Sequence, residues 1–309
     1  MRRQYPHRPH LTVATHFPSL SAARDLNPNV HMFTEDVRLA IMPIGGRSEK
    51  QKNFAVALDG DKNASERARD LMRDLAESDR DDLPRLVCGA VEGIGKRLAW
   101  EGCAIYEIIR SDDSAHHIYG FTAKRLVRIP GWFVQIIPRA DWELWKMKWA
   151  AVPVSRIWHV EMPEILQGRS GYLRTLRKLR RFQQLGPAFW RKDLEQGEQS
   201  KHFDFQRYVR NTEIYSSQVT NVWGWNRRDR SQERTTEFYG FYKMVTFHWA
   251  QAVLREHIIL ELNALFSRLD VNCQLKINGL PTASEILKIR QELLGGTISF
   301  KSASERVSL

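Results

Sequence analysis

The sequence predicts an α+β fold that is mostly helical. Three observations lead there. Apolar residues recur at helical spacing over 82–101 and again over about 231–269. Between residues 103 and 160 the period changes to two, and turn residues separate the short apolar runs of that block. The chain has 309 residues, enough for one large domain or two to three small ones. With 42% hydrophobic and 27% charged residues it has a globular composition, which excludes a wholly disordered chain. No run of eighteen apolar residues exists, so no bilayer-spanning segment and no membrane partner is expected. The first twenty residues lack the apolar stretch of a secretory signal.

Residues 1–33 carry Arg, His and Pro without periodicity and read as a flexible basic arm. Val37–Met42 alternates and reads as a strand stopped by Pro43; Phe54–Leu58 reads as a second. Asn63 followed by Glu66 has the form of a helix cap, so a helix is expected over about 64–77. In the next helix, 82–101, Leu83, Leu86, Val87, Val91, Ile94 and Leu98 form an apolar stripe. Gly89, Gly93 and Gly95 interrupt it. Each costs about 1 kcal/mol against Ala in a helix interior, which points to a close neighbour or a kink.

Strands are expected at 103–109, 117–121, 126–129, 133–137 and 152–160. A basic, mostly helical stretch follows from Gly171 to about Gln196, with a break near Gly186-Pro187. Residues 221–230 form a polar, aromatic loop. The helix from about Ser231 to 269 would be ~57 Å long, far beyond the mean of roughly 12 residues. Such a helix runs through a bundle, a coiled coil or an oligomer. A strand at 272–277, a capping box Thr282–Glu285 and a helix ending at Gly295-Gly296 follow, and Thr297–Phe300 with a last short turn finishes the chain.

Lys and Arg number 47 and Asp and Glu 36, a net charge of +11 that favours a polyanionic partner. The three cysteines, Cys88, Cys103 and Cys273, are too widely spaced for a zinc pattern and too few for a disulfide framework. Gly89–Lys96 only superficially resembles a phosphate loop: Ala90 and Arg97 stand where a glycine and a hydroxyl are required. His116-His117 read as loop histidines, and His248 and His257, nine apart, do not make a metal pair. Asp79, Asp81 and Asp82 read as compensation of a helix dipole rather than as metal ligands. No catalytic residue, metal site or cofactor is assigned, and the chain is read as a non-enzyme.

Two segments stand out as nucleic-acid contacts. Over 174–181, Arg174, Arg177, Lys178, Arg180 and Arg181 surround an apolar stripe of Leu173, Leu176, Leu179 and Phe182, a pattern suited to phosphate contact. Of these, Arg174, Arg177, Lys178 and Arg181 are taken as contacts. In the loop, Trp223 and Trp225 lie beside Arg227, Arg228 and Arg230, which joins stacking surface to charge. The alternatives are an ordinary solvated face for the basic helix and a folded subunit contact for the two Trp.

The order of these pieces resembles the portal (head–tail connector) proteins of tailed bacteriophages. The passage Leu98-Ala-Trp-Glu-Gly-Cys-Ala-Ile-Tyr-Glu-Ile108, the strand Val154-Ser-Arg-Ile-Trp-His-Val160, the helix entered at Gly168-Arg-Ser-Gly-Tyr-Leu173, the long helix and the closing Leu293-Leu-Gly-Gly-Thr-Ile-Ser-Phe300 carry the resemblance, which covers about residues 34–305. It implies a wing over 34–80, a stem helix at 81–102, a β-rich clip at 103–165, a second stem helix and basic region at 166–220, a tunnel-type loop at 221–231, and a very long wing helix with the C-terminal wing over 232–309. It further implies a ring, of twelve subunits, at the capsid vertex of the virion, assembled in the host cytoplasm. Double-stranded DNA would be packaged and ejected through it, and the large terminase subunit, a head–tail adaptor and the major capsid or scaffold protein would dock on it. The alternatives are a metal-dependent nuclease or recombinase using Asp79, Asp81, Asp82 or Glu107, and a monomeric DNA-binding protein.

Overall fold

A computed structural model describes residues 27–39, 41–42, 54–76, 82–110, 116–123, 125–136, 148–183, 213–226 and 236–307, with only the backbone at 181–183. Helices hold 61% of these residues, so the chain is α+β and mostly α.

The fold is organised around one buried helix, α3 (Leu83–Glu101), with α1 (Pro28–Arg38), α2 (Lys62–Ala76) and α5 (Glu237–Arg268) packed against it. Asp82 caps α3, its carboxylate accepting from Arg85 N at 3.4 Å, and Gly102 ends it in the left-handed region. The glycines on α3 mark close neighbours. A Cβ at Gly93 would lie 2.7 Å from the Leu75 carbonyl oxygen of α2, and one at Gly95 would lie 2.6 Å from Ile41 Cδ1. Their helix cost is thus offset by the close approach of α2 at Gly93 and of the buried Ile41 side chain at Gly95.

α1 corrects two sequence expectations. The flexible arm extends only to residue 26 at most, because Asn27 caps a helix that opens with Pro28. The run 37–42 is the end of this helix and a bend, not a strand. Val30, Phe33 and Val37 keep helical spacing into the core, and that burial outweighs the local alternation. Residues 1–26 lie outside the described residues. At the start of α2 the cap is Asp61 rather than Asn63: its Oδ1 accepts from Ala64 N at 2.7 Å, and the helix begins two residues earlier than expected.

Strands pair in three small antiparallel sheets: β1 (Ala55–Gly60) with β8 (Cys273–Asn278); β3 (His116–Phe121), β2 (Cys103–Arg110) and β7 (Ile157–Glu161); and β4 (Leu126–Ile129), β5 (Trp132–Ile136) and β6 (Trp149–Pro153). The single strand expected at 152–160 is two. A 3₁₀ turn at Val154–Arg156 follows Pro153 and sends β6 to β5 but β7 to β2.

β2 is buried on both faces. Ala104, Tyr106 and Ile108 join the main core, while Cys103, Ile105 and Ile109 form a second, smaller core with Phe121, Phe133, Val152 and Ile157. The β4–β5–β6 sheet therefore turns Phe133 and Val152 inward. By alternation and register it turns Val127 and Ile129 of β4, Trp132, Val134 and Ile136 of β5, and Trp149, Ala151 and Pro153 of β6 outward.

α5 has 32 residues and is ~48 Å long, shorter than expected because Thr236 caps it. Residues 227–235 lie outside the described residues. Trp249, Ala250, Gln251 and Ala252 are consecutive and all buried, so the helix is enclosed on every side there. Thr282 and Glu285 form the expected capping box of α6 (Ala283–Leu294). A further helix not expected from the sequence, α7 (Phe300–Val307), closes the described chain. Among the described residues no helix is long and apolar enough to cross a membrane.

Candidate nucleic-acid interface

The basic segment forms α4 (Gly168–Gln183), which carries six Arg or Lys and no Asp or Glu. It starts three residues earlier than expected, after a 3₁₀ turn at Glu164–Leu166 and two left-handed residues, Gln167 and Gly168. Tyr172, Leu176 and Leu179 are buried. The Tyr172 hydroxyl donates to Ala99 O of α3 at 2.7 Å, and complete burial raises its pKa far above the ordinary phenol value. Asn27 Nδ2 donates to Arg180 O at 2.9 Å, and the Tyr215 hydroxyl donates to Lys178 O at 3.4 Å. These contacts fix one face of α4 against the core and turn Arg174, Arg177, Lys178 and Arg180 to solvent. Arg174, Arg177 and Lys178 stand at i, i+3 and i+4, so they share a face. Arg181 continues this spacing on the helix backbone; its side chain lies outside the described residues. Such a face neutralises phosphates without reading sequence.

Trp223 and Trp225 do not present the expected stacking surface. They are 0% and 2% exposed. Phe33 meets Trp223 edge-on at 5.7 Å and Trp225 at 5.2 Å between ring centroids, and Trp223 lies 5.4 Å from Tyr172. The Trp225 indole donates to Asp36 Oδ2 at 2.8 Å. The cause is Gly224, at φ +66°, where a Cβ would lie 2.6 Å from Lys243 O. That turn lays the segment directly on α5, and two large rings so placed gain more from burial than from water. Arg227, Arg228 and Arg230 lie outside the described residues.

The structure also holds buried polar groups that the sequence reading missed. Glu101 accepts from Ala123 N at 2.5 Å and from the Thr122 hydroxyl. Arg97, one turn earlier on α3, donates to Phe121 O at 3.4 Å and lies over the Tyr106 ring at 5.1 Å. Together they fasten the end of β3 to α3. The signal was present: Glu101 falls seven residues after Ile94, on the apolar stripe itself. Lys243, also buried, donates to Asn221 Oδ1 at 2.8 Å and holds the Trp223 turn on α5.

The other residues singled out from sequence are dispersed. His116 and His117 open strand β3 rather than a loop, and His117 Nδ1 is 3.2 Å from Asp74 Oδ2. Burial lowers the His248 pKa, and His257 Nε2 is 2.9 Å from Glu161 O. Asp82 is a helix cap and Glu107 is fully buried in β2; Asp79 and Asp81 lie outside the described residues. All three cysteines are free and buried, and burial pushes the Cys103 thiol up to about 12. Among the described residues no group of three or more His, Cys, Asp or Glu is placed to hold a metal ion. No protein-family model matches the chain, and neither a curated protein nor a solved structure matches it.

Proposed function

We propose that the chain is a subunit of a ring that conducts double-stranded DNA, similar in role to the portal proteins of tailed phages. The observation that carries the nucleic-acid part is the solvent-facing side of α4, with Arg174, Arg177, Lys178 and Arg180 exposed and no acidic residue on the helix. The order of motifs from Leu98 to Phe300 carries the portal part. In this reading α3 and α4 are the stem, the two-sheet block from Cys103 to Glu161 is the clip, and α5 belongs to the wing. The ring sits at the capsid vertex of the virion, contributes no bond-making step, and receives the large terminase subunit, the tail adaptor and the capsid or scaffold protein.

Mass measurement and negative-stain electron microscopy of the purified full chain test assembly. A closed ring near twelve subunits is expected, and a chain that stays monomeric at every concentration refutes the reading. Duplex binding across a salt series tests the α4 face. Replacing Arg174, Arg177 and Lys178 together by Glu is expected to flatten the dependence of log affinity on log salt by about 0.9 for each phosphate that the helix no longer neutralises. An unchanged slope removes α4 from the interface.

A further inference from the structure

We propose that the outward face of the β4–β5–β6 sheet is a docking site for a short amphipathic segment of a partner protein, apolar on one side and acidic on the other. This does not rest on the ring reading, since the face is complete within one chain.

Trp149 is 64% exposed, Ile136 49%, Val127 and Trp132 46% and Ile129 43%. Large apolar side chains scattered singly over a surface need no explanation, but these five are neighbours. The register sets Ile129 beside Trp132, Val127 beside Val134, and Ile136 beside Trp149. Every outward position of the three strands is apolar, so the sheet lacks the polar outer face of an antiparallel sheet that ends in water. The opposite face of the same strands packs through Phe133 and Val152 into the second core. The outward face is therefore a surplus, not a misplaced core.

Size and charge choose the occupant. Three strands about 4.8 Å apart, each of about five residues rising ~3.3 Å, give a footprint on the order of 230 Å². A footprint of this size matches one strand or two to three turns of helix.

Of the described basic residues, Arg125 and Lys148 border the outward face and are exposed, whereas Arg128 alternates onto the opposite face, over the Phe133 ring. Arg125 and Lys148 sit at the same end of the face: the Arg125 carbonyl accepts from Ile136 N at 3.1 Å, and Lys148 precedes Trp149, which pairs with Ile136. A second copy would bring like charges together, whereas an acidic segment meets opposite ones. Nucleobases suit the face poorly. Four of its six largest outward residues are aliphatic, and the only polar atoms it offers a base edge are two indole N–H groups, so most base edges would lose water without a partner.

The test is fluorescence anisotropy of the full chain with a labelled twelve-residue helical peptide bearing Leu and Phe on one face and Glu on the other. The expected results are saturable binding, binding weaker by about tenfold or more for Trp149→Ser and Ile136→Ser, and weaker binding for Arg125→Glu and for the peptide with Lys in place of Glu. These residues are exposed, so thermal melts of the variants should match the wild type.

Four results would each overturn the proposal. The first is no binding, or equal binding of the Glu and Lys peptides. The second is a Trp149→Ser variant that binds as tightly as the wild type. The third is binding of a dT20 oligonucleotide, or of vesicles of phosphatidylcholine and phosphatidylglycerol, that Trp149→Ser abolishes while peptide binding persists. The fourth is self-association of the wild type that the same substitution removes.

Discussion

Replacing Gly93 by Ala puts the packing of α2 on α3 to a direct test. Helix propensity alone favours Ala by about 1 kcal/mol, because Gly loses more backbone freedom on folding. The structure reverses the sign. The new Cβ would lie 2.7 Å from the Leu75 carbonyl oxygen. That atom is backbone and cannot rotate aside, so the two helices must separate by several tenths of an ångström. Separation loosens Ala68, Leu71, Met72 and Leu75 of α2, all buried. Overpacking of this kind costs about 1–3 kcal/mol, which leaves a net destabilisation of about 1 kcal/mol. Gly95→Ala is the internal control: its new Cβ meets Ile41 Cδ1, the far end of a side chain that can turn away, so its effect should be smaller. Urea unfolding followed by circular dichroism measures both, as a shift in midpoint at constant slope. A Gly93→Ala protein more stable than the wild type by the helix-propensity increment would refute the close approach.

Three further outcomes are expected. Thr282→Ala removes the side-chain half of the capping box of α6 and should cost about 0.5–2 kcal/mol in urea unfolding, because Glu285 N loses the Thr282 hydroxyl as its acceptor while the backbone N–H of residue 282 keeps Glu285 Oε2. Leu262→Asp buries a carboxylate at a position that is 0% exposed and should leave little folded protein by circular dichroism, whereas Leu260→Asp, two residues earlier on a side chain 66% exposed, should be tolerated. Burial is the main cause that lowers the imidazole pKa of His116, His159 and His248. Each is therefore less protonated when folded than when unfolded. Their contribution to stability is complete above the unfolded value of about 6.5 and declines as pH falls below it. Thermal melts between pH ~7.5 and ~5 should show that decline, and His248→Gln should reduce it.

α3 and α6 were legible because their signals are local. The apolar stripe and Asp82 mark α3, and Thr282 with Glu285 marks the start of α6 whatever surrounds them. The strands from Cys103 to Ile136 were legible for the same reason, since alternation between turn residues is a property of a few consecutive side chains. The basic face of α4 also followed from sequence, because charges spaced around an apolar stripe have only the outside of the helix to occupy.

What sequence could not give was everything set by a distant neighbour. Val37–Met42 alternates like a strand, yet the core contacts of Val30 and Phe33 make it the end of α1 followed by a bend. Trp223 and Trp225 have the composition of an exposed stacking loop, and only the close passage of Gly224 over α5 turns them into core. The outward face of β4–β5–β6 escaped notice because period two states that a strand has two faces, not which of them meets water. The physical reason is common to all three. Propensity and periodicity act over a few residues, whereas burial depends on which surfaces, far apart in the chain, come within van der Waals reach, and that term is the larger one.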